Sequence, residues 1–340
     1  MKISILWEEK ILKAISLFSG GLDSQLAVRL MQEQNIEVTA LNFVSPFFGG
    51  GEELEKAAAA LKIPILFPEV GNEYLELLHN PAHGFGKNCN PCIDCHAFML
   101  HKAGELMQEL GADFLITGEV LGQRPMSQNR NALRQVEKAS GLTGMILRPL
   151  SALKLDETVP EKNGWVDRSR LMDIQGLSRG RQMELADQLG LKEYPTPAGG
   201  CLLTQESTAK RIWKYFEFRP GLKELNELLI LKAGRHFYLN ENALLVVGRH
   251  QADNTLLADI ACPKDIFVKV SNNPGPLALL RSTQGLSDEV LQQAARVVSR
   301  YSDSKNDPEA PVKFLNAGME EFKNMTVVPY KPDEIPSYVN

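Results

Sequence analysis

The first third of the chain carries two hydrophobic periods in alternation. Short, nearly unbroken apolar runs, I-S-L-F at 15–18, V-T-A-L-N-F-V at 38–44, P-I-L-F-P-E-V at 64–70 and D-F-L-I-T-G-E at 113–119, read as buried strands. Between them, 23–34, 52–61 and 97–110 show the spacing of amphipathic helices. Strand and helix alternating at this interval predict right-handed crossovers and a parallel sheet, hence a doubly wound α/β domain.

The pattern changes between 122 and 200, where prolines and arginines crowd into G-Q-R-P, I-L-R-P, D-R-S-R and L-S-R-G-R-Q. This stretch reads as functional loops with short helices, the clearest ending at Gly190. Its arginines at 168, 170, 179 and 181 fit either a solvated surface or an anion site. After a helix at 206–216, the turn F-R-P-G marks a linker. Beyond it come short β-rich runs, H-F-Y-L, A-L-L-V-V-G, D-I-F-V-K-V and L-A-L-L-R, and a helix at 287–301. The expected organisation is a first domain at 1–220 and a smaller α+β domain at 221–340.

Composition adds limits. At 340 residues, with 44% hydrophobic and 23% charged, the chain is long enough for two cores. No apolar run is long enough to cross a bilayer, and Glu8 and Glu9 interrupt the N-terminal apolar stretch before a signal-peptide core could form. A cytoplasmic location without membrane attachment is the expectation. A formal net charge of -5 exerts no global pull on nucleic acid. Five cysteines in a reducing compartment point to metal binding or catalysis rather than disulfides.

Chemistry concentrates first in S-G-G-L-D-S at 19–24. A strand that ends in two glycines and opens a helix aims several backbone N–H groups at one spot, and phosphate oxygens fit there. Ser19 and Ser24 can donate hydroxyl hydrogen bonds, Gly20 and Gly21 permit close approach, and Asp23 can bind Mg²⁺ or hold the loop. A purely structural turn would need one glycine, and neither a Walker A spacing nor G-x-G-x-x-G is present. The motif resembles the PP-loop of the ATP pyrophosphatase superfamily. That resemblance implies a HUP-like fold, ATP cleaved to AMP and pyrophosphate, and adenylation of a carbonyl-type oxygen that ammonia or a sulfur donor then displaces.

The cysteines favour sulfur. Cys89, Cys92 and Cys95 fall within seven residues in N-C-N-P-C-I-D-C-H, and Cys201 follows in P-A-G-G-C-L-L. Thiolates so spaced can share a metal or cluster, or carry and resolve a persulfide. Cys262, isolated, reads as packing. N-P-C-I-D-C-H resembles the N-P-x-x-x-C-N motif of the tRNA 2-thiouridylases, and G-G-C-L-L their later cysteine motif. The resemblance implies catalytic roles for Cys95 and Cys201, with Asp23 at the nucleotide, and tRNA as partner together with a sulfide or persulfide donor. Glu119 stands where the family's T-G-H has histidine, and Cys89 has no counterpart. Two routes stay open: a persulfide on Cys201 resolved by Cys95, or a [4Fe-4S] cluster held by Cys92, Cys95 and Cys201. Structural zinc on Cys89, Cys92, Cys95 and His96 or Cys201 is the alternative.

The last third is similar in order to the NFACT-R type domain, with a G-R turn at 248–249, a P-G turn at 274–275 and Y-S at 301–302. That resemblance implies RNA or ribosome binding and makes Arg235, Arg249, His250, Asn254 and Arg281 candidates for phosphate contact. The reading is an ATP-dependent tRNA sulfurtransferase forming 2-thiouridine or 4-thiouridine. Its rivals are a PP-loop amidating ligase with structural zinc and a non-catalytic RNA- or ribosome-binding protein.

Overall fold

The computed structural model describes residues 10–195 and 201–339. The chain divides into two compact units, Met1–Cys201 and Leu202–Asn340.

The first unit runs β1 (Lys13–Leu17), α1 (Leu22–Gln32), β2 (Glu37–Leu41), α2 (Glu52–Leu61), β3 (Ile65–Leu66), α3 (Tyr74–His79), α4 (Cys92–Glu109), β4 (Phe114–Thr117), α5 (Arg130–Ser140), β5 (Ile146–Leu147), α6 (Val159–Lys162) and α7 (Gly180–Gln188). Its five strands are all parallel, in the order β3-β2-β1-β4-β5. Helices cover such a sheet on both faces, which is why its strands read as continuous apolar runs. The doubly wound α/β expectation holds. Phe18, Leu22, Leu26, Phe114, Ile116 and Leu147 are buried in one core. Because the chain moves outward from β1 through β2 to β3 and then returns to β4 on the other side, a crevice opens where the connections leaving β1 and β4 diverge.

One helix differs from its expected extent in a way that matters. Cys92 and Cys95 lie in the first turn of α4, which starts at Cys92 and not near 97. Pro91 precedes it, the Cys95 amide donates to the Pro91 carbonyl at 2.8 Å, and Cys95, Ala97, Leu100 and Ala103 form one buried stripe. The apolar period thus extends back through the cysteines.

The second unit comprises α8 (Glu206–Phe218), β6 (Arg235–Asn240), β7 (Ala243–Val247), α9 (Gln251–Asp259), β8 (Ile266–Val270), β9 (Ala278–Ser282), α10 (Asp288–Arg300), β10 (Ala310–Leu315) and β11 (Glu321–Val327). Its antiparallel sheet has the order β11-β10-β8-β9-β7-β6. Val290, Leu291, Ala294, Val297 and Val298 of α10 pack on one face. Ser287 caps that helix by accepting from the Val290 amide.

The unit boundary falls at 201/202 rather than at 220/221, because α8 is bonded into the second unit. Arg211 donates from Nη1 to the Leu231 carbonyl at 2.6 Å and from Nη2 to that of Gly234 at 3.0 Å. Arg281, expected to touch phosphate, is structural instead. It is buried, donates to both Asp265 oxygens at 3.0 and 2.7 Å, and reaches the Tyr215 hydroxyl at 3.2 Å. Arg281→Ala leaves Asp265 buried and unpaired, so urea unfolding of the second unit should show a loss of about 3–5 kcal/mol. A surface phosphate contact would leave stability unchanged.

Candidate active site

The S-G-G-L-D-S turn joins β1 to α1 at the crevice. Gly20 has φ +70°, and a Cβ there would lie 2.8 Å from Leu54 Cδ2, so the position needs glycine. Gly21 is the N-cap of α1 and offers no side chain to cap it, which leaves the first-turn amides open to an anion. Around them Ser24 Oγ donates to the Gly21 carbonyl at 2.9 Å and Ser19 Oγ lies 3.3 Å from Ser24 Oγ. Gln25 Nε2 donates to the Gly20 carbonyl at 2.8 Å and to the Glu193 carbonyl at 3.3 Å, tying the chain shortly after α7 to the same helix.

Asp23 is held by two residues that sequence reasoning did not single out. Its Oδ2 accepts from Arg179 Nη2 at 2.8 Å and from Gln123 Nε2 at 3.0 Å. Its Oδ1 is buried and has no hydrogen-bond partner among the described residues. A buried carboxylate oxygen left open beside an uncapped helix start suits a hard cation such as Mg²⁺. Of the four clustered arginines, Arg179 alone reaches the loop. Arg168 pairs with Glu161, Arg181 with Asp173, and Arg170 donates to the Glu33 carbonyl. The arginine cluster was the available signal for Arg179; nothing in the sequence marks Gln123.

The residues after β4 connect the loop to the cysteines. A Cβ on Gly118 would lie 2.5 Å from the Ser24 amide nitrogen, so only glycine allows these backbones to meet. Glu119 follows, buried, and accepts from Arg148 Nε at 3.0 Å and Thr117 Oγ1 at 3.1 Å, with His96 Nδ1 at 3.2 Å. Burial works to raise its pKa, but the Arg148 charge and the His96 hydrogen bond prevail and hold it at about 2. An ionised carboxylate only accepts, so His96 Nδ1 carries the hydrogen.

The sulfurs share one neighbourhood. Tyr74 is fully buried, and its hydroxyl donates to Cys95 Sγ at 3.0 Å; Asn90 Nδ2 donates to Cys92 Sγ at 3.0 Å. Burial pushes the Cys95 thiol up to about 12; the Tyr74 hydrogen bond opposes this, while charge on Cys201 and Cys92 adds to it. Burial also raises Cys92, against the pull of Asn90, Arg124 and Ser127. Cys89, likewise buried, is pushed up to about 11 and feels Cys201. Cys262 stands apart in the second unit, 3.6 Å from Arg281 Nη2. Among the described residues no group of three or more His, Cys, Asp or Glu is gathered so as to hold a metal ion. Residues 196–200, the expected approach to Cys201, lie outside the described residues.

Of the second unit's phosphate candidates, Arg249 pairs with Asp253 at 2.7 Å and Arg235 stacks 4.7 Å from the Tyr301 ring centre. His250 caps α9, and Asn254 Oδ1 accepts from the Leu277 amide at 3.2 Å.

A parallel sheet, a two-glycine turn that opens an uncapped helix at its switch point and a held aspartate are features shared with PP-loop nucleotide domains. Residues 11–161 match the family model described as Thiamine biosynthesis protein (ThiI), and residues 234–339 match the NFACT protein RNA binding domain. The chain is 28% identical over 159 residues to a protein named probable tRNA sulfurtransferase from Thermococcus kodakarensis, covering 43% of this chain and 39% of that protein. It is 24% identical over 226 residues to one named tRNA-specific 2-thiouridylase MnmA 1 from Syntrophus aciditrophicus, covering 61% of this chain and 56% of that protein. The match to the Thermococcus relative thus spans only about two fifths of that protein's length. A solved 4-thiouridine synthetase–RNA complex with bound ATP resembles it at 21% identity and a TM-score of 0.33, over 53% of this chain and 51% of that one.

Glu119 makes a pH prediction. Its folded pKa of about 2 lies below the ordinary 4.5, so its contribution is complete above pH 4.5 and is lost as pH falls towards 2. In Glu119→Gln, acid unfolding should lose this dependence between those values, and stability at neutral pH should fall by about 3 kcal/mol because Arg148 stays buried. An unchanged acid-unfolding profile would contradict the ion pair.

Proposed function

We propose that this chain is an ATP-dependent tRNA sulfurtransferase that adenylates a uridine carbonyl oxygen and replaces it with sulfur, forming 4-thiouridine or 2-thiouridine. The observation that carries the reading is the bridge from Gly118 to Glu119, which meets the nucleotide turn at Ser24 on one side and His96, next to Cys95, on the other. The ThiI match and the sulfurtransferase and thiouridylase names of relatives support it.

In this reading Gly20, Gly21, Ser19 and Ser24 receive ATP phosphates and Asp23 faces Mg²⁺, which would offset charge as pyrophosphate leaves. The uridine oxygen attacks the α-phosphorus, giving AMP-uridine and pyrophosphate. A persulfide on Cys201, formed when the Cys201 thiolate takes the terminal sulfur of a persulfide carrier and the carrier leaves as its thiol, then attacks the activated carbon and AMP departs. Cys95 thiolate attacks the Cys201 sulfur, the carbon keeps the outer sulfur as C=S, and a Cys95–Cys201 disulfide remains for an external dithiol to reduce. Tyr74 opposes the burial that keeps Cys95 protonated.

The second reading rests on Cys92, which the two-cysteine route leaves idle. Cys92, Cys95 and Cys201 are soft donors of the kind that hold a [4Fe-4S] cluster, which when bound would present sulfide at an open iron; they are not gathered as a metal site in this structure, so this arm requires them to draw together. Stoichiometric iron and sulfide in anaerobically purified protein supports that arm, whereas zinc without sulfide rejects it.

The function is tested with tRNA lacking thionucleosides. Cys201→Ser and Cys95→Ser should abolish thionucleoside formation, read by mass spectrometry, while tRNA-dependent AMP and pyrophosphate release persists. Asp23→Asn should reduce both by about 10²-fold or more. Full thiolation by Cys201→Ser would overturn the sulfur assignment and favour an amidating ligase. The absence of AMP with every tRNA would leave a binding protein.

A further inference from the structure

The second unit's sheet has a feature that the sulfur chemistry does not use. In the antiparallel ladder between β8 and β10, Lys269 and Lys313 stand directly opposite each other. Their neighbours Val268, Val270, Val312 and Phe314 are buried in the core with α10, so strand alternation turns both ammonium groups to the other face. Like charges directly opposed on adjacent strands are destabilising. The ion pairs of the sheet and the helices beside it include Arg249 with Asp253, Arg281 with Asp265, Arg296 with Glu334 and Lys323 with Asp288, and among the described residues no ion pair reaches either lysine.

The two lysines line a cleft of about 590 Å³ whose other walls include Pro274, Pro276 and Met319. Met319 has φ +64°, a left-handed conformation that turns normally give to Gly or Asn, and it is 43% exposed. Two costly arrangements, an unneutralised lysine pair and a strained, exposed apolar side chain, therefore border one cavity. An adjoining cleft of about 410 Å³ shares Lys313 and continues along Asn324 and Thr326, with Glu321 as its acidic limit.

We infer that this cleft binds a single-stranded RNA segment, one phosphodiester lying between Lys269 and Lys313 and its base resting on Met319 and the two prolines. A phosphate between the two lysines offsets one of their two charges and relieves their repulsion, and an unpaired base uses the apolar wall. An A-form duplex keeps its bases stacked inside and offers that wall nothing. The proposal rests on the reading of this chain as acting on RNA and places one of its contacts.

Fluorescence anisotropy of the full chain with a labelled oligouridine, and with a duplex RNA of equal length, tests this over a salt series. The single strand should bind about tenfold or more tighter than the duplex. Lys269→Gln/Lys313→Gln should weaken single-strand binding about tenfold and reduce the salt slope by about 0.7, the share of one neutralised phosphate, without lowering the melting temperature. Met319→Gly should weaken binding while leaving the slope unchanged. Unchanged affinity and slope in the double lysine variant, equal binding of duplex and single strand, or unfolding of that variant would each overturn the proposal. The assay contains no ATP or sulfur donor, so it can fail while thiolation stands, and thiolation can fail while it stands.

Discussion

The close approach of Gly118 to the backbone of Asp23 and Ser24 constrains the whole first unit. Parallel pairing of β1 with β4 delivers both loops to the same end of the sheet, but pairing alone leaves their separation free. Contact without a side chain sets it. Once Gly118 is seated, Glu119 must turn inward, where an isolated carboxylate would be costly, and Arg148 answers it from the residue after β5. Arg148 also reaches Glu137 of α5 at 3.2 Å, while His96 brings in α4. One backbone contact thus fixes the nucleotide turn, two helices and the cysteine-bearing turn relative to one another. It also accounts for glutamate where the motif it resembles has histidine: with His96 supplied from α4, the position after Gly118 can carry the carboxylate that orients it.

Burial gives the sulfur region its character. Tyr74 lies between Phe48 and Phe98 with ring centres 5.7 and 5.5 Å away, an aromatic wall that excludes water from Cys95. A buried thiol stays protonated and unreactive at neutral pH, which protects it from adventitious oxidation. The same wall would make an unassisted thiolate costly, so the one polar atom it offers, the Tyr74 hydroxyl, points at Cys95 Sγ. Reactivity then depends on what is brought in, since a neighbouring sulfur that becomes a leaving group or a cation that accepts thiolates lowers the cost of ionisation.

Much of this was legible from residue order because short-range physics determined it. The apolar runs, the glycine pair at a strand end and the resemblance of the last third to an RNA-binding module each belong to contiguous stretches. What escaped involved residues distant in sequence. Gln123 and Arg179 reach Asp23 across 100 and 156 positions, and Arg281 reads as a surface cation until Asp265 and Tyr215 are seen around it. The helix start at Cys92 was missed for a local reason: asparagine, proline and cysteine have poor helix propensity, and burial of the Cys95 face overrode it. The F-R-P-G turn reads as the linker and so leaves helix α8 with the first domain, whereas Arg211 of α8 bonds the carbonyls of Leu231 and Gly234, 20 and 23 residues further on and beyond that turn.

Arginine and lysine divide the cationic work. Arg148, Arg211 and Arg281 are buried, each meeting carbonyls or carboxylates that its planar fork can engage with two nitrogens at once. Arginine also loses hydration at lower cost than an ammonium, which suits it to the interior. The cations that line the sheet's cleft are lysines, compact and strongly hydrated, placed opposite each other where no carboxylate among the described residues pairs with them. A chain with net charge -5 cannot attract RNA by its overall field, so any attraction must come from cations left unpaired at one place. Arginines committed to the fold add nothing there, and counting them in the sequence overstates the basic surface. The register of two strands, rather than the composition of the domain, is what gathers usable positive charge.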